Sequence, residues 1–379
     1  MAKVRLPGTH RAVAAEITWE RIEPRLRDYG ITRVADVTRL DNIGIPVFLA
    51  VRPASETLAV SQGKGASPLL AKLSAVMESI ELWYAERPAL NTFVATPESL
   101  SLPYALTDLN LRVTDTWVHQ MELPWAQARS LADDRTVPVP LDLVRLSYSG
   151  EHFWRPRLFE SSSTGLASGN TFTEACLHGL YEAVERDVLA AHPARNGAGR
   201  LRIAPETIRN QHLRSLLGRL VDAGVDYDIS CIPNRFGIPT FAAYVWSPLF
   251  PIVCAGSGTH MDAVVALSRA LTEAVQSRLT EISATRDDIP SDQDTWRDAS
   301  AEPGFPSTAD AVSLDEALRG HGAGLDDMEE ELAEVSRRVT AAAGHDPLVI
   351  RLSEPTEPFS VVRITCPGLA YAEGRTLSA

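Results

Sequence analysis

Two pairs of glutamates dominate the chemistry this sequence could perform. Met77–Trp83 reads MESIELW and Tyr181–Asp187 reads YEAVERD, so Glu78 and Glu81, and again Glu182 and Glu185, stand three residues apart. A third copy, TEAVQSR at Thr272–Arg278, carries Glu273 and Gln276 in the matching places. Two carboxylates about 4 Å apart repel by roughly 4 kcal/mol at an effective dielectric near 20. If the copies converge, the four acids need cations, and Mg2+ with substrate phosphates is the hard-ion remedy. A lone Glu-x-x-Glu is ordinarily a solvated helix face. Placement argues otherwise here. At about 100° per residue, Ser74, Glu78 and Glu81 share one sector beside an apolar stripe of Leu70, Leu73, Met77, Ile80 and Tyr84. Glu174, His178, Glu182 and Glu185 likewise share a sector beside Cys176, Leu177, Leu180, Val184 and Val188. Such positions are partly buried, where unpaired acid is costly, so a shared cation site is the favoured reading.

The elements that must position these acids are also repeated. Each acidic helix follows a strand and a glycine-containing turn, namely Gly63-Lys64-Gly65, Gly165 to Gly169, and Gly256-Ser257-Gly258. Repetition of this kind points to an internally repeated scaffold. Glycine turns feeding helix N-termini offer free N–H groups to anions, and Lys64 adds a cation to the first. Taken singly, each turn would do no more than reverse the chain. The residues fit neither a Walker motif nor a dinucleotide fingerprint. Carboxylates for Mg2+, glycine turns for phosphates and Arg186, Arg278 and Arg286 for developing negative charge together make the parts of phosphoryl transfer. The residues alone thus reach an unusual enzyme using ATP and Mg2+.

Around this centre the pattern reads as one α+β unit. Residues 1–40 are expected as an N-terminal helical extension, and residues 41–379 as the catalytic domain. NIGIPVFLAVRP and TLAVSQ have the look of strands leading into an acidic helix from about Ser67 to Glu86. Strands YDISCIP, TFAAYVW and FPIVCAG precede the third copy, Arg286–Pro306 reads as a long loop, and PLVIRLS and SVVRITCPG close the pattern as strands. With 379 residues and 45% hydrophobic content the chain can bury a large core. Its formal charge of −13 argues against a nucleic-acid surface. No signal peptide or membrane span stands out, so a cytoplasmic protein is expected. Cys176, Cys231, Cys254 and Cys366 lack the pairing of a zinc site and are expected as buried thiols.

Three segments in order, SQGKGASPLLAKLSAVMESIELW, TGLASGNTFTEACLHGLYEAVERD and GSGTHMDAVVALSRALTEAVQSRLTEISATRDD, together resemble the YcaO family, from about Thr38 to Leu369. The resemblance implies a YcaO-type fold and ATP-dependent phosphorylation of a peptide backbone amide oxygen, followed by a nucleophile and loss of phosphate. By position, Glu78, Glu81, Glu182 and Glu185 match the family's Mg2+-coordinating acids. Ser74, Asn170, Glu174, Arg186 and Gln276 match its nucleotide-site residues, with Lys64, Glu273, Arg278 and Arg286 placed beside them. Glu182 and Arg186 are the expected catalytic residues. Leu82 and Thr164 depart from the Arg and Asn of many members, while IELW, TRLDNIGIPV and SQGKG look most like members working beside a TfuA protein, whose implied product is a thioamide. Expected partners are a precursor peptide, a TfuA-like or separate leader-binding protein, and a second copy of the chain as a homodimer. The competing expectations are an azoline-forming cyclodehydratase, an amidine-forming enzyme, and a nucleotide-binding accessory protein without peptide chemistry.

Overall fold

A computed structural model describes residues 1–112, 116–146, 158–191, 199–285, 303, 305 and 310–371. The chain opens with a small antiparallel hairpin, β1 (Val4–Leu6) and β2 (Thr9–Arg11), and a helix α1 (Ala15–Ile22). β3 (Arg33–Asp36) then pairs with β4 (Val47–Val51), which pairs with β5 (Val60–Lys64). The first forty residues, expected to be helical, hold α1 and two short 3-10 segments, Glu23–Arg25 and Thr38–Leu40, among the strands β1, β2 and β3. RVAD, with polar Arg33 and Asp36 flanking the partly buried Val34 and Ala35, takes an edge position beside β4.

Helix α2 (Pro68–Glu86) begins where Ser67 accepts a hydrogen bond from Leu70 N and Pro68 occupies the first turn, and it ends before Arg87-Pro88. β6 (Thr92–Ala95), β7 (Leu123–Ser130) and β8 (Thr136–Pro140) follow. Next come β9 (Leu166–Gly169) and α3 (Phe172–Ala191), whose first turn is held by Glu174 N donating to Thr171 Oγ1 at 3.2 Å. β10 (Leu201–Arg202), α4 (Gln211–Asp222), β11 (Asp226–Cys231), β12 (Thr240–Ser247) and β13 (Phe250–Thr259) lead to α5 (Ala263–Ser283), capped by Asp262. α6 (Leu314–Ala317), α7 (Met328–Ala343), β14 (Leu348–Arg351) and β15 (Ser360–Thr365) complete the order.

The larger sheets run β3-β4-β5, β10-β11-β12-β13 and β6-β7-β14-β15-β9, the last with β8 added on β7. Each acid-bearing helix packs on the strand just before it in a different sheet: α2 on β5, α3 on β9, α5 on β13. Each also reaches one strand of another unit, α2 to β9, α3 to β13 and α5 to β5. The three units thus close a ring in cyclic order. Three apolar clusters fill the sheets and helices: one under α2 and β7, one between α4, α5 and β11–β13, and one around α3, α7 and β15.

The glycines differ in role from the expected turns. Gly63 lies in β5, Gly169 in β9, and Gly256 and Gly258 in β13. A Cβ on Gly63 would stand 2.0 Å from Ala75 N and 2.3 Å from Ala71 O, and one on Gly258 would stand 2.1 Å from Ala266 O. Hydrogen is the only side chain that fits, so these residues let strand and helix backbones touch. Helix starts fall a few residues later, at Ser67, Thr171 and Asp262. Gly165, with φ +80°, is the member of the set that does turn the chain.

Candidate nucleotide and cation site

The close strand–helix contacts fix the register of the acids. A Cβ on Gly65 would meet Ala71 N at 2.6 Å and Leu70, and one on Gly169 would meet Ala175 N at 2.4 Å and Glu174, so Gly65 and Gly169 hold equivalent places. Gly63 and Gly258 touch their helices in the same way, which makes His260 the counterpart of Gly65. From Gly65, Gly169 and His260 one common interval leads to Glu78, Glu182 and Glu273, and three residues further to Glu81, Glu185 and Gln276.

Hydrogen bonds join these positions around the ring. Ser168 of β9 donates its hydroxyl to Glu81 of α2. Ser257 of β13 donates to Glu185 of α3 at 2.7 Å. Gln276 of α5 donates to the Gln62 carbonyl of β5 at 3.2 Å, and Lys64 Nζ of β5 reaches Glu273 at 2.5 Å. The second motif position of every helix is therefore held by a strand of the following unit.

Charge is concentrated and incompletely neutralised. Burial pushes the Glu81 carboxyl up to about 8, Glu78 and Glu182 push it the same way, and the Ser168 bond only partly opposes them. Glu182 is raised by burial and by Glu185, although Arg186 lies 3.8 Å away and Gly165 N–H donates to it at 3.2 Å. Glu185 is raised by burial and by Glu273, against Arg186, Arg269 and Ser257. Glu273 is the exception: burial raises it, but Lys64 and Arg186 outweigh that and hold it below its ordinary range. Arg186, whose charge burial disfavours, is raised overall by Glu182, Glu185 and Glu273 together. Carboxyls whose charge is disfavoured for want of countercharge, all with oxygen donors, suit a hard divalent cation. Among the described residues no three His, Cys, Asp or Glu side chains already stand at ligand spacing. Ligation by all four acids would require them to draw together around the ion.

Asn170 and Glu174 meet at the start of α3, with Asn170 Nδ2 3.2 Å from Glu174 Oε2. The N-terminal segment closes on both: Ala12 N donates to Glu174 at 2.9 Å, Arg11 Nε lies 3.6 Å from it, and Thr18 Oγ1 donates to Asn170 at 2.8 Å. Ser74, half-buried on α2, sits at the interval occupied by His178 on α3 and Arg269 on α5. Arg278 is placed differently from the expectation. It is 2% exposed, its guanidinium is held by Asp41 at 2.8 and 3.3 Å, and it donates to the Phe250 carbonyl, so its charge is committed to a buried pair. Arg286 lies outside the described residues.

The sequence motifs give no role to several contributors. Arg269 acts on Glu185, Glu273 and His178, and the repeat register, applied to the third copy at the place of Ser74, points to it. Ser168 and Ser257 are found only through the ring contacts. Arg11 carries no sequence signal, because its approach depends on how the hairpin folds back over α3. Arg11 Nη1 also contacts His178 Nε2, while His178 Nδ1 faces the Ser168 carbonyl at 2.9 Å. A guanidinium only donates, so the His178 proton resides on Nδ1.

A family model described as YcaO cyclodehydratase, ATP- and Mg2+-binding, matches residues 62–370, and the chain belongs to the YcaO family. An uncharacterized protein of Mycobacterium tuberculosis is 37% identical over 369 residues, covering 96% of this chain and 83% of that one. A protein in the tfuA 3′ region of Rhizobium leguminosarum bv. trifolii is 36% identical over 382 residues, covering 95% of this chain and 88% of that one. The solved YcaO of Methanopyrus kandleri, bound with AMPPCP and Mg2+, superposes with a TM-score of 0.74 at 20% identity, over 98% of this chain and 95% of that one. Among the described residues no helix is long and apolar enough to cross a membrane.

Proposed function

We propose that this YcaO protein uses ATP and Mg2+ to phosphorylate a backbone amide oxygen of a ribosomally made precursor peptide, and that a sulfide donor then replaces that oxygen to leave a thioamide. The amide oxygen takes the terminal phosphoryl group as ADP departs; sulfur adds at the activated carbon, and phosphate leaves with the original oxygen. Glu78, Glu81, Glu182 and Glu185 would hold Mg2+, which supplies charge neutralisation at the transferring phosphate. Ser74, Asn170, Glu174 and Gln276 would hold the nucleotide, with Lys64 and Glu273 at its edge. Arg186, between Glu182, Glu185 and Glu273, is poised to meet developing negative charge once an ion relieves those acids.

The carrying observation is the gathering of Glu81, Glu182 and Glu185 from two equivalent helices, held by the Ser168 hydroxyl, the Gly165 N–H and the Ser257 hydroxyl, where burial raises all three. Sulfur as the nucleophile is favoured by the relative encoded beside tfuA, and a TfuA-like protein is the proposed partner. The family's cyclodehydratase description supports a second reading, in which a Cys, Ser or Thr side chain of the peptide closes an azoline. Incubation of precursor peptide with ATP, Mg2+, sulfide and the partner separates them by mass spectrometry. Oxygen-to-sulfur exchange raises the peptide mass, loss of water lowers it, and an unchanged peptide despite ATP hydrolysis would refute both.

A further inference from the structure

Arg363 is a buried cation on the apolar side of a sheet. In the β15 ladder its neighbours in register are Ile350 on β14 and Leu166 on β9, both members of the cluster under α2. Arg363 itself is 4% exposed. Its Nε donates to the Leu143 carbonyl at 2.7 Å and its Nη2 to the Ser162 carbonyl at 2.6 Å, while Nη1 is buried without a hydrogen-bond partner among the described residues. A guanidinium left partly unsatisfied in such surroundings is costly, and two backbone carbonyls could be satisfied by neutral groups.

What Arg363 holds explains the arrangement. The Ser162–Gly165 loop is clamped from β15 at two points: Arg363 on Ser162 O, and Ile364 N donating to Gly165 O at 2.7 Å. That loop presents Gly165 N–H to Glu182 at 3.2 Å. Beyond this contact, the acid whose charge acts on Arg363 is Glu182, and Arg363 acts back on it. We propose that Arg363 is a positioning residue for Glu182: its planar fork fixes the loop whose Gly165 N–H orients this carboxylate. The proposal rests on the reading of Glu182 as a cation-holding residue. Lysine could supply the charge but not the two-carbonyl fork.

The test measures thermal stabilisation of the full chain by a non-hydrolysable ATP analogue as Mg2+ is titrated, for Arg363→Met, Arg363→Lys and Glu182→Gln. Groups that orient metal ligands typically change affinity by about 10–100-fold when lost, so both Arg363 variants should raise the Mg2+ concentration at half effect by that factor. Combining Arg363→Met with Glu182→Gln should add little to Glu182→Gln alone. A purely structural arginine would instead lower the metal-free melting temperature and leave the Mg2+ midpoint in place, which overturns the proposal. If Arg363→Met does not fold, Arg363→Lys carries the same comparison. Glu182→Gln with undiminished Mg2+ response overturns the site reading itself, whereas a weakened Glu182→Gln beside unaffected Arg363 variants overturns the positioning role alone.

Discussion

Replacing Glu81 by glutamine should stabilise the protein in the absence of nucleotide and Mg2+, while abolishing part of its response to them. The Glu81 carboxyl moves from an ordinary 4.5 to about 8, chiefly because burial disfavours its charge and then because Glu78 and Glu182 repel it. A group raised in the folded state binds its proton more tightly there than in the unfolded chain. Stability therefore falls as pH rises from the unfolded value near 4.5 towards 8 and is flat above it. At 1.36 kcal/mol per unit the fall has an upper limit of about 5 kcal/mol. Water reaching a half-buried carboxyl returns part of this, leaving about 2–3 kcal/mol. Glutamine keeps the shape and still accepts from Ser168, so the metal-free variant should lose this slope and melt higher than wild type at pH 8.5. At the proposed site Mg2+ would displace the same proton, so wild-type Mg2+ affinity in the presence of an ATP analogue should rise up to about tenfold per pH unit below 8. Calorimetry in buffers of different ionisation enthalpy counts the released proton. Identical stability slopes in wild type and Glu81→Gln, together with no proton release on Mg2+ binding, would refute the reasoning.

Glu182→Gln should abolish ATP turnover with the circular dichroism spectrum unchanged, and Arg186→Lys should cut it by about 10²-fold or more, since a point charge does not replace a planar fork; a coupled ADP-release assay reads both. Asp41→Ala should lower stability by about 3–5 kcal/mol through the stranded Arg278 charge, without a specific change in nucleotide affinity, as chemical denaturation and analogue binding would show. Gly63→Ala should cost about 3 kcal/mol or more, because its Cβ would collide with the backbone of α2 at Ala71 and Ala75; a melting temperature equal to wild type would disprove the close-packing role.

Legibility in the sequence followed the range of the interactions. Helices α2, α3 and α5 and their acids could be read because side-chain periodicity and capping are local, as at Ser67-Pro68 and Arg87-Pro88. The glycines were visible but their purpose was not, since a strand glycine under a helix and a glycine in a turn look alike until the helix is in place. Arg278 shows the same limit: five residues after Glu273, at about 100° per residue, it lies on another face of α5 and meets Asp41, far earlier in the chain. Ser168 with Glu81, Ser257 with Glu185 and Lys64 with Glu273 each join different units. Only the closed ring brings them together.

That ring is built from equivalent parts, yet its charge is uneven. Unit one contributes Glu78 and Glu81, unit two Glu182 and Glu185, but unit three replaces the second acid with Gln276 and surrounds the first with Lys64, Arg186 and Arg269. The consequence falls on the acids: burial and neighbouring carboxylates raise Glu81, Glu182 and Glu185, whereas Lys64 and Arg186 hold Glu273 below its ordinary range. Unmet negative charge is thus gathered between α2 and α3, and the α5 side is already paired. A ring with three identical acid pairs would have no preferred face for a cation. Here the scaffold sets the spacing of the side chains, and the residues of its third unit would give the proposed cation site a direction.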